Sequence, residues 1–86
     1  MKEIWVLGIN ITDRVNSVAP VQNVLAKFGC SIRTRLGLHS TDPSACAGCG
    51  LILLELYGDP LEFSKLENEL LKIDSIEVKK MVFKQE

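Results

Sequence analysis

The alternation of apolar and polar positions divides the 86-residue chain into six elements. Residues 4–11, IWVLGINI, are apolar on both faces and rich in Ile and Val. That pattern predicts a central strand covered on both sides. The polar stretch TDRVNS follows at 12–17, and Asn16 or Ser17 is the expected N-cap of a first helix, with Pro20 in its first turn. Val18, Val21, Val24, Leu25 and Phe28 then recur at helical spacing, and Gly29 supplies the stop. Residues 31–39, SIRTRLGLH, alternate. Ile32, Thr34, Leu36 and Leu38 are expected on one face, and Arg33, Arg35, Gly37 and His39 on the other, as in an edge strand. Beyond a turn-rich loop at 40–49, residues 50–57, GLILLELY, predict a second central strand. Asp59-Pro60-Leu61-Glu62 is a helix start, with Asp59 as N-cap, Pro60 at the first helical position and Glu62 able to reach back. Phe63, Leu66, Leu70 and Ile73 make its buried stripe. Residues 75–84 predict a last strand whose alternation slips at Lys79-Lys80, the mark of a bulge on a charge-protected edge.

The order is therefore βαββαβ within a single domain spanning 1–86. Two βαβ units of this length predict an α+β, ferredoxin-like plan: a four-stranded antiparallel sheet with two helices on one face. In that plan the first and third strands are central, and those are the strands that read as apolar on both faces. Two helices cover only one side of a sheet. The other side must carry either the Trp5, Leu7, Ile9 set or the Ile4, Val6 set, with alternate residues of 51–57. An apolar patch of that size seldom stays exposed. A homo-oligomer, dimer or tetramer, assembled through the sheet is expected.

Composition narrows the function. The net charge is −1, with 47% hydrophobic and 24% charged residues. Without a basic footprint, direct nucleic-acid binding is not expected. The longest near-continuous apolar run, Leu51–Leu54, is far short of a membrane span. Lys2 and Glu3 lead straight into the first strand, with no signal pattern, so a cytoplasmic protein is expected. The cysteines number 3, an odd and low count that argues against a secreted disulfide framework.

Candidate chemistry concentrates in HSTDPSACAGCG at 39–50. Cys30 stands at the opposite end of the second strand from the loop thiols. About nine residues at about 3.3 Å each keep them roughly 30 Å apart, and Cys30 reads as a small buried hydrophobe. His39, Cys46 and Cys49 remain, and three readings fit them. They form an open site for a soft transition metal, zinc or iron. Alternatively, Cys46 and Cys49 form a redox pair, or the loop holds ordinary thiols. Arg33 and Arg35, on one predicted face with His39, read as an anion or carboxylate clamp or as a solvated edge. No nucleophile stands at a motif spacing from a base, no phosphate loop occurs, and no carboxylate pair lies in an apolar context. An enzyme is not expected.

The stretch VNSVAPVQNVLAKFGCSIRTRLGLH, followed after the loop by GLILLELYGD, resembles the small ACT-like proteins called iron-only hydrogenase system regulators. The landmarks are Asn16-Ser17, Val21-Gln22, Phe28-Gly29-Cys30, Arg33 to His39 and Gly50 to Gly58. The resemblance covers nearly the whole chain. It implies an ACT-type ferredoxin-like fold and a ligand-sensing or regulatory role near hydrogenase expression or assembly, with no catalytic residues. In ACT-type domains small effectors bind where the first strand meets the first helix, which here implicates Asn10, Thr12, Asp13 and Asn16. These positions lack the Gly of the amino-acid-binding version of that loop, and turn and cap chemistry also accounts for them. The chain is similar, more distantly, to the ligand-binding half of the nickel-responsive repressors, which bind metal near the end of the second strand and the start of the third. His39 and Cys49 match those places, but this chain has a single histidine. The first strand begins at residue 3 or 4, so no ribbon-helix-helix segment is expected ahead of it. Any effect on transcription would pass through a regulatory protein partner. A metallochaperone or redox accessory factor for hydrogenase maturation, and a purely structural oligomerisation domain, are the competing readings.

Overall fold

Trp5, Leu7, Ile9 and Ile11 are the buried positions of the first strand, and their period of two fixes which face of the sheet the helices cover. The computed structural model describes residues 2–38 and 50–85. Strand β1 spans Lys2–Ile11, helix α1 Arg14–Lys27, β2 Ile32–Leu38, β3 Gly50–Leu56, α2 Pro60–Leu71 and β4 Ile76–Gln85, with a single 3₁₀ turn at Gly29–Ser31 before β2. The sheet order is β2-β3-β1-β4, and every neighbouring pair is antiparallel. This is the ferredoxin-like α+β arrangement, with β1 and β3 in the centre as their two-sided apolar character requires.

The core lies between one sheet face and the helices. Ile52, Leu54 and Leu56 join the β1 set from the sheet, Val21, Leu25 and Phe28 come from α1, and Phe63, Leu66 and Leu70 come from α2. Phe63 is fully buried and meets the Trp5 ring edge-on at 5.5 Å between centroids. The Trp5 indole N–H donates to Glu3 Oε1 at 2.8 Å, so its one polar atom is satisfied.

Helix α2 starts as its sequence requires. The Asp59 carboxylate accepts from the Leu61 N–H at 2.9 Å and Pro60 opens the helix. Glu62 does not reach back; it pairs with Lys65 at 3.0 Å one turn on. Helix α1 departs further. Its N-cap is Asp13, not Asn16 or Ser17, and it begins early enough that Pro20 falls inside it. Proline has no N–H, so the Asn16 carbonyl loses its helical donor, and packing of Val21, Leu25 and Phe28 holds the helix despite that.

The bulge expected in β4 lies in β2 instead. The β1–β4 ladder runs unbroken from Lys2↔Gln85 to Ile11↔Ile76. The β2–β3 ladder slips between Ile32 and Thr34, which pair with Leu56 and Glu55 in turn. Arg33 is the extra residue. Ile32 therefore packs on the helix side, whereas Thr34 and Leu36 face away from the helices, and the predicted four-residue face is split. Lys80 explains the apparent slip in β4. It occupies a helix-side position, but its ammonium lies 4.4 Å from the centre of the Trp5 ring and 3.0 Å from Glu67 Oε1. A long apolar stem and a cation over an indole replace the hydrophobe the pattern lacked.

Truncating Phe63→Ala is expected to cost about 3–5 kcal/mol, read from the urea midpoint, which is a large share of the stability of any small domain.

Candidate functional site

Three features of the surface could serve a function: the junction between β1 and α1, the corner that holds Arg33, and the sheet face away from the helices.

At the junction, the polar stretch after β1 is tied to the turn that joins α2 to β4. Thr12 donates twice to the Ser75 carbonyl, from its N–H at 2.9 Å and its hydroxyl at 2.8 Å. The buried Ser17 hydroxyl donates to the Asp74 carbonyl at 2.8 Å. Asp13 accepts from the Asn16 backbone N–H at 3.2 Å and from its side-chain amide at 2.7 Å. Ser75 holds a positive φ of 63°, the left-handed conformation that turns the chain into β4. An open hollow of about 540 Å³ results, lined by Asp13, Asn16, Ser17, Lys72, Asp74 and Ser75 among others. Of the predicted ligand residues, Asp13 and Asn16 line it. Thr12 is committed to Ser75. Asn10 stands on the far side of the sheet, paired with Leu51 and Glu77. The acidic, amide and ammonium groups of this hollow suit a small polar molecule with both donors and acceptors.

The proposed arginine clamp does not form. Arg35 pairs with Leu54 on the helix side, and its guanidinium donates to Gln22 Oε1 of α1 at 2.7 Å. Arg33, displaced by the bulge, instead lines a hollow of about 310 Å³ with Lys2, Glu3, Ile4, Tyr57 and Gly58. An alternation rule put the two arginines together, and one inserted residue separates them.

The face away from the helices is apolar across its middle. Ile4, Val6 and Leu53 are half-buried there, and Leu36, Leu51, Tyr57, Met81 and Phe83 are exposed. Glu55 sits among them and accepts from the Thr34 hydroxyl at 2.9 Å. At Gly8 the face is notched. Val6, Leu53 and Met81 line an apolar depression of about 250 Å³ over it, together with Gly8, Lys79 and Lys80. A methyl group at Gly8 would make no contact closer than 3.7 Å.

The cysteine expectations divide. Cys30 is exposed, not buried: the 3₁₀ turn that follows the helix cap carries it outward. His39, Cys46 and Cys49 lie outside the described residues. Among the described residues no three of the His, Cys, Asp and Glu side chains cluster as metal ligands do, and no helix is long and apolar enough to cross a membrane.

No family model and no curated protein matches the chain. Solved structures do. An uncharacterized protein from Thermotoga maritima is 25% identical, with a TM-score of 0.83 over 98% of this chain and 100% of that one. A formyltetrahydrofolate deformylase from Pseudomonas putida is 12% identical with a TM-score of 0.54, and the match covers 91% of this chain but 28% of that one. A de novo designed protein, 12% identical, gives a TM-score of 0.60 over the full length of both chains. The last two likenesses concern the fold alone.

Removing the ties at the junction should loosen it without unfolding the sheet. Ser17→Ala and Asp13→Ala are each expected to cost about 1 kcal/mol in urea unfolding. In Ser17→Ala, amide exchange should rise at Asp74 and Ser75 more than in β1.

Proposed function

We propose that this protein is a small, non-enzymatic regulatory module of the kind its sequence resembles, the iron-only hydrogenase system regulators. It works as a homo-oligomer assembled through the uncovered sheet face. The observation that carries this reading is that face. Val6, Leu36, Leu53, Met81 and Phe83 form a patch that one chain leaves in water. Contiguous apolar surface of this breadth usually marks an interface. A second copy fits best, because a two-fold axis lets one patch serve both partners and lets a side chain of each enter the Gly8 depression of the other.

The regulatory part rests on different support. The resemblance covers nearly the whole sequence, and the fold is shared end to end with the Thermotoga protein. The hollow beside the start of α1 has the size and polarity to hold a small effector. The sequence supports a second form of that effector, a soft metal ion on His39, Cys46 and Cys49, whose thiolate and imidazole donors suit zinc or iron. In either form the signal passes to a protein partner.

Light scattering on the eluted protein is expected to report a dimer or tetramer. Met81→Glu with Phe83→Glu should reduce it to monomers of unchanged circular dichroism, because both side chains are about half exposed in the single chain, at 56% and 52%. A wild-type monomer at millimolar concentration would sink the assembly.

Native mass spectrometry, on protein purified without oxygen and without a metal-binding tag, separates the effectors. One metal per subunit, lost in the Cys46→Ser, Cys49→Ser double variant, is the result expected of a metal sensor. An oligomer that stays metal-free after exposure to zinc and ferrous iron would rule that form out.

A further inference from the structure

The bulge in β2 does more than split the edge strand's face. It carries Arg33 out of the alternating pattern and to the corner where β1 begins and β3 ends. There it shares a hollow with Lys2 and Tyr57. Bulges commonly re-aim a side chain beside a binding site. Gly58, at a φ of 109°, ends β3 directly after Tyr57, and the Tyr57 N–H is held by the Ser31 carbonyl at 3.0 Å. The phenol is thus fixed at its backbone while its ring stays about half exposed, at 47%.

The charges in this corner are uneven. Among the described residues neither Lys2 nor Arg33 has a carboxylate partner, as is also true of Lys72, Lys79 and Lys84, but Lys2 and Arg33 are the two that share a hollow. Glu3 also lines the hollow, but one of its oxygens accepts from the Trp5 indole. Two cations against one engaged carboxylate leave a single positive charge in excess. A guanidinium matches a carboxylate in shape, with two parallel N–H donors. Ile4, half-buried on the open face, and the Tyr57 ring supply an apolar floor and wall. The volume, about 310 Å³, lies at the small end of ligand sites.

We infer that the hollow formed by Lys2, Ile4, Arg33 and Tyr57 binds a small monocarboxylate with an apolar body. Arg33 holds the carboxylate in a two-point contact and Lys2 adds a point charge. Tyr57 packs on the apolar body or donates its hydroxyl. The excess of one charge favours a monoanion over a dianion such as phosphate. The site is distinct from the hollow at the start of α1, which lies beyond the opposite end of β1, and Arg35 takes no part in it.

Phenylacetate is a suitable probe, with phenylacetamide as its neutral counterpart, read by amide chemical shifts during NMR titration of the full-length protein. Saturable shifts are expected at Ile4, Arg33 and Tyr57, and not at Asp13, Asn16 or Ser17. Affinity should fall about tenfold or more in Arg33→Gln, as for loss of a charge-assisted bond, and stay unchanged in Arg35→Gln. Phenylacetamide should give no saturable shift. Four results would overturn the inference: no saturation by phenylacetate, equal binding of the amide, equal affinity in Arg33→Gln, or tighter binding of inorganic phosphate. A change of oligomeric state in Arg33→Gln would overturn it as well, because the corner would then serve a second copy of the chain. Should that variant fail to fold, Lys2→Gln replaces it, with a several-fold loss expected and an unchanged affinity decisive against the site.

Discussion

A strand has two faces, and the two helices of this chain cover one of them. Trp5, Leu7, Ile9 and Ile11 in β1, with Ile52, Leu54 and Leu56 in β3, take the covered side. Every other assignment follows from that choice. Ile4, Val6 and Leu53 are sent to the uncovered side by the period of two, and with them goes the pressure for a second layer. The same geometry decides where small molecules can enter. The hollows at the start of α1 and around Arg33 lie where the covering layer ends.

The fold was legible because its signals are redundant. Two central strands read as apolar on both faces, Asp59-Pro60 marks the start of α2, and the order of elements leaves one common plan. The details that failed are those a single residue can reverse. Arg33 adds one position to β2, and the alternation downstream changes sides; no hydrophobic pattern of that short strand could have disclosed it, because Thr34 is acceptable on either face. Lys80 misled in the opposite direction. A lysine on the helix side breaks the pattern, yet the strand is regular, because the Trp5 ring and Glu67 receive the ammonium.

The candidate sites were legible only in part, for a similar reason. Asp13 and Asn16 share a hollow as a strand-to-helix junction allows, but Thr12 is spent on the Ser75 carbonyl, a partner more than sixty residues away. Asp13 caps α1 one turn earlier than the Asn16-Ser17 signal suggests, since several cap-competent side chains occur in a row and tertiary contacts choose among them. Cys30 is exposed because the chain makes a 3₁₀ turn after Phe28, which a helix-then-strand reading passes over. Lys2, Tyr57 and Arg33 carry no shared motif. They meet only because the start of β1, the end of β3 and the bulge in β2 come together at one corner of the sheet.

The sheet order has one more consequence, for how the chain folds. Strand β1 pairs with β3 and β4, and β2 pairs with β3; among the described residues no ladder joins β1 to β2. Each ladder therefore links residues 2–38 to residues 50–85. As the chain leaves the ribosome, the first half can form α1 but has no strand to pair with its own two. The apolar surface of β1 waits for nearly half the sequence before β3 arrives to take it. Non-local pairing of this kind slows folding, and folding should be all-or-none across both halves. The bulge and the hollow it creates then come into being in a single late event, when β3 docks between β1 and β2.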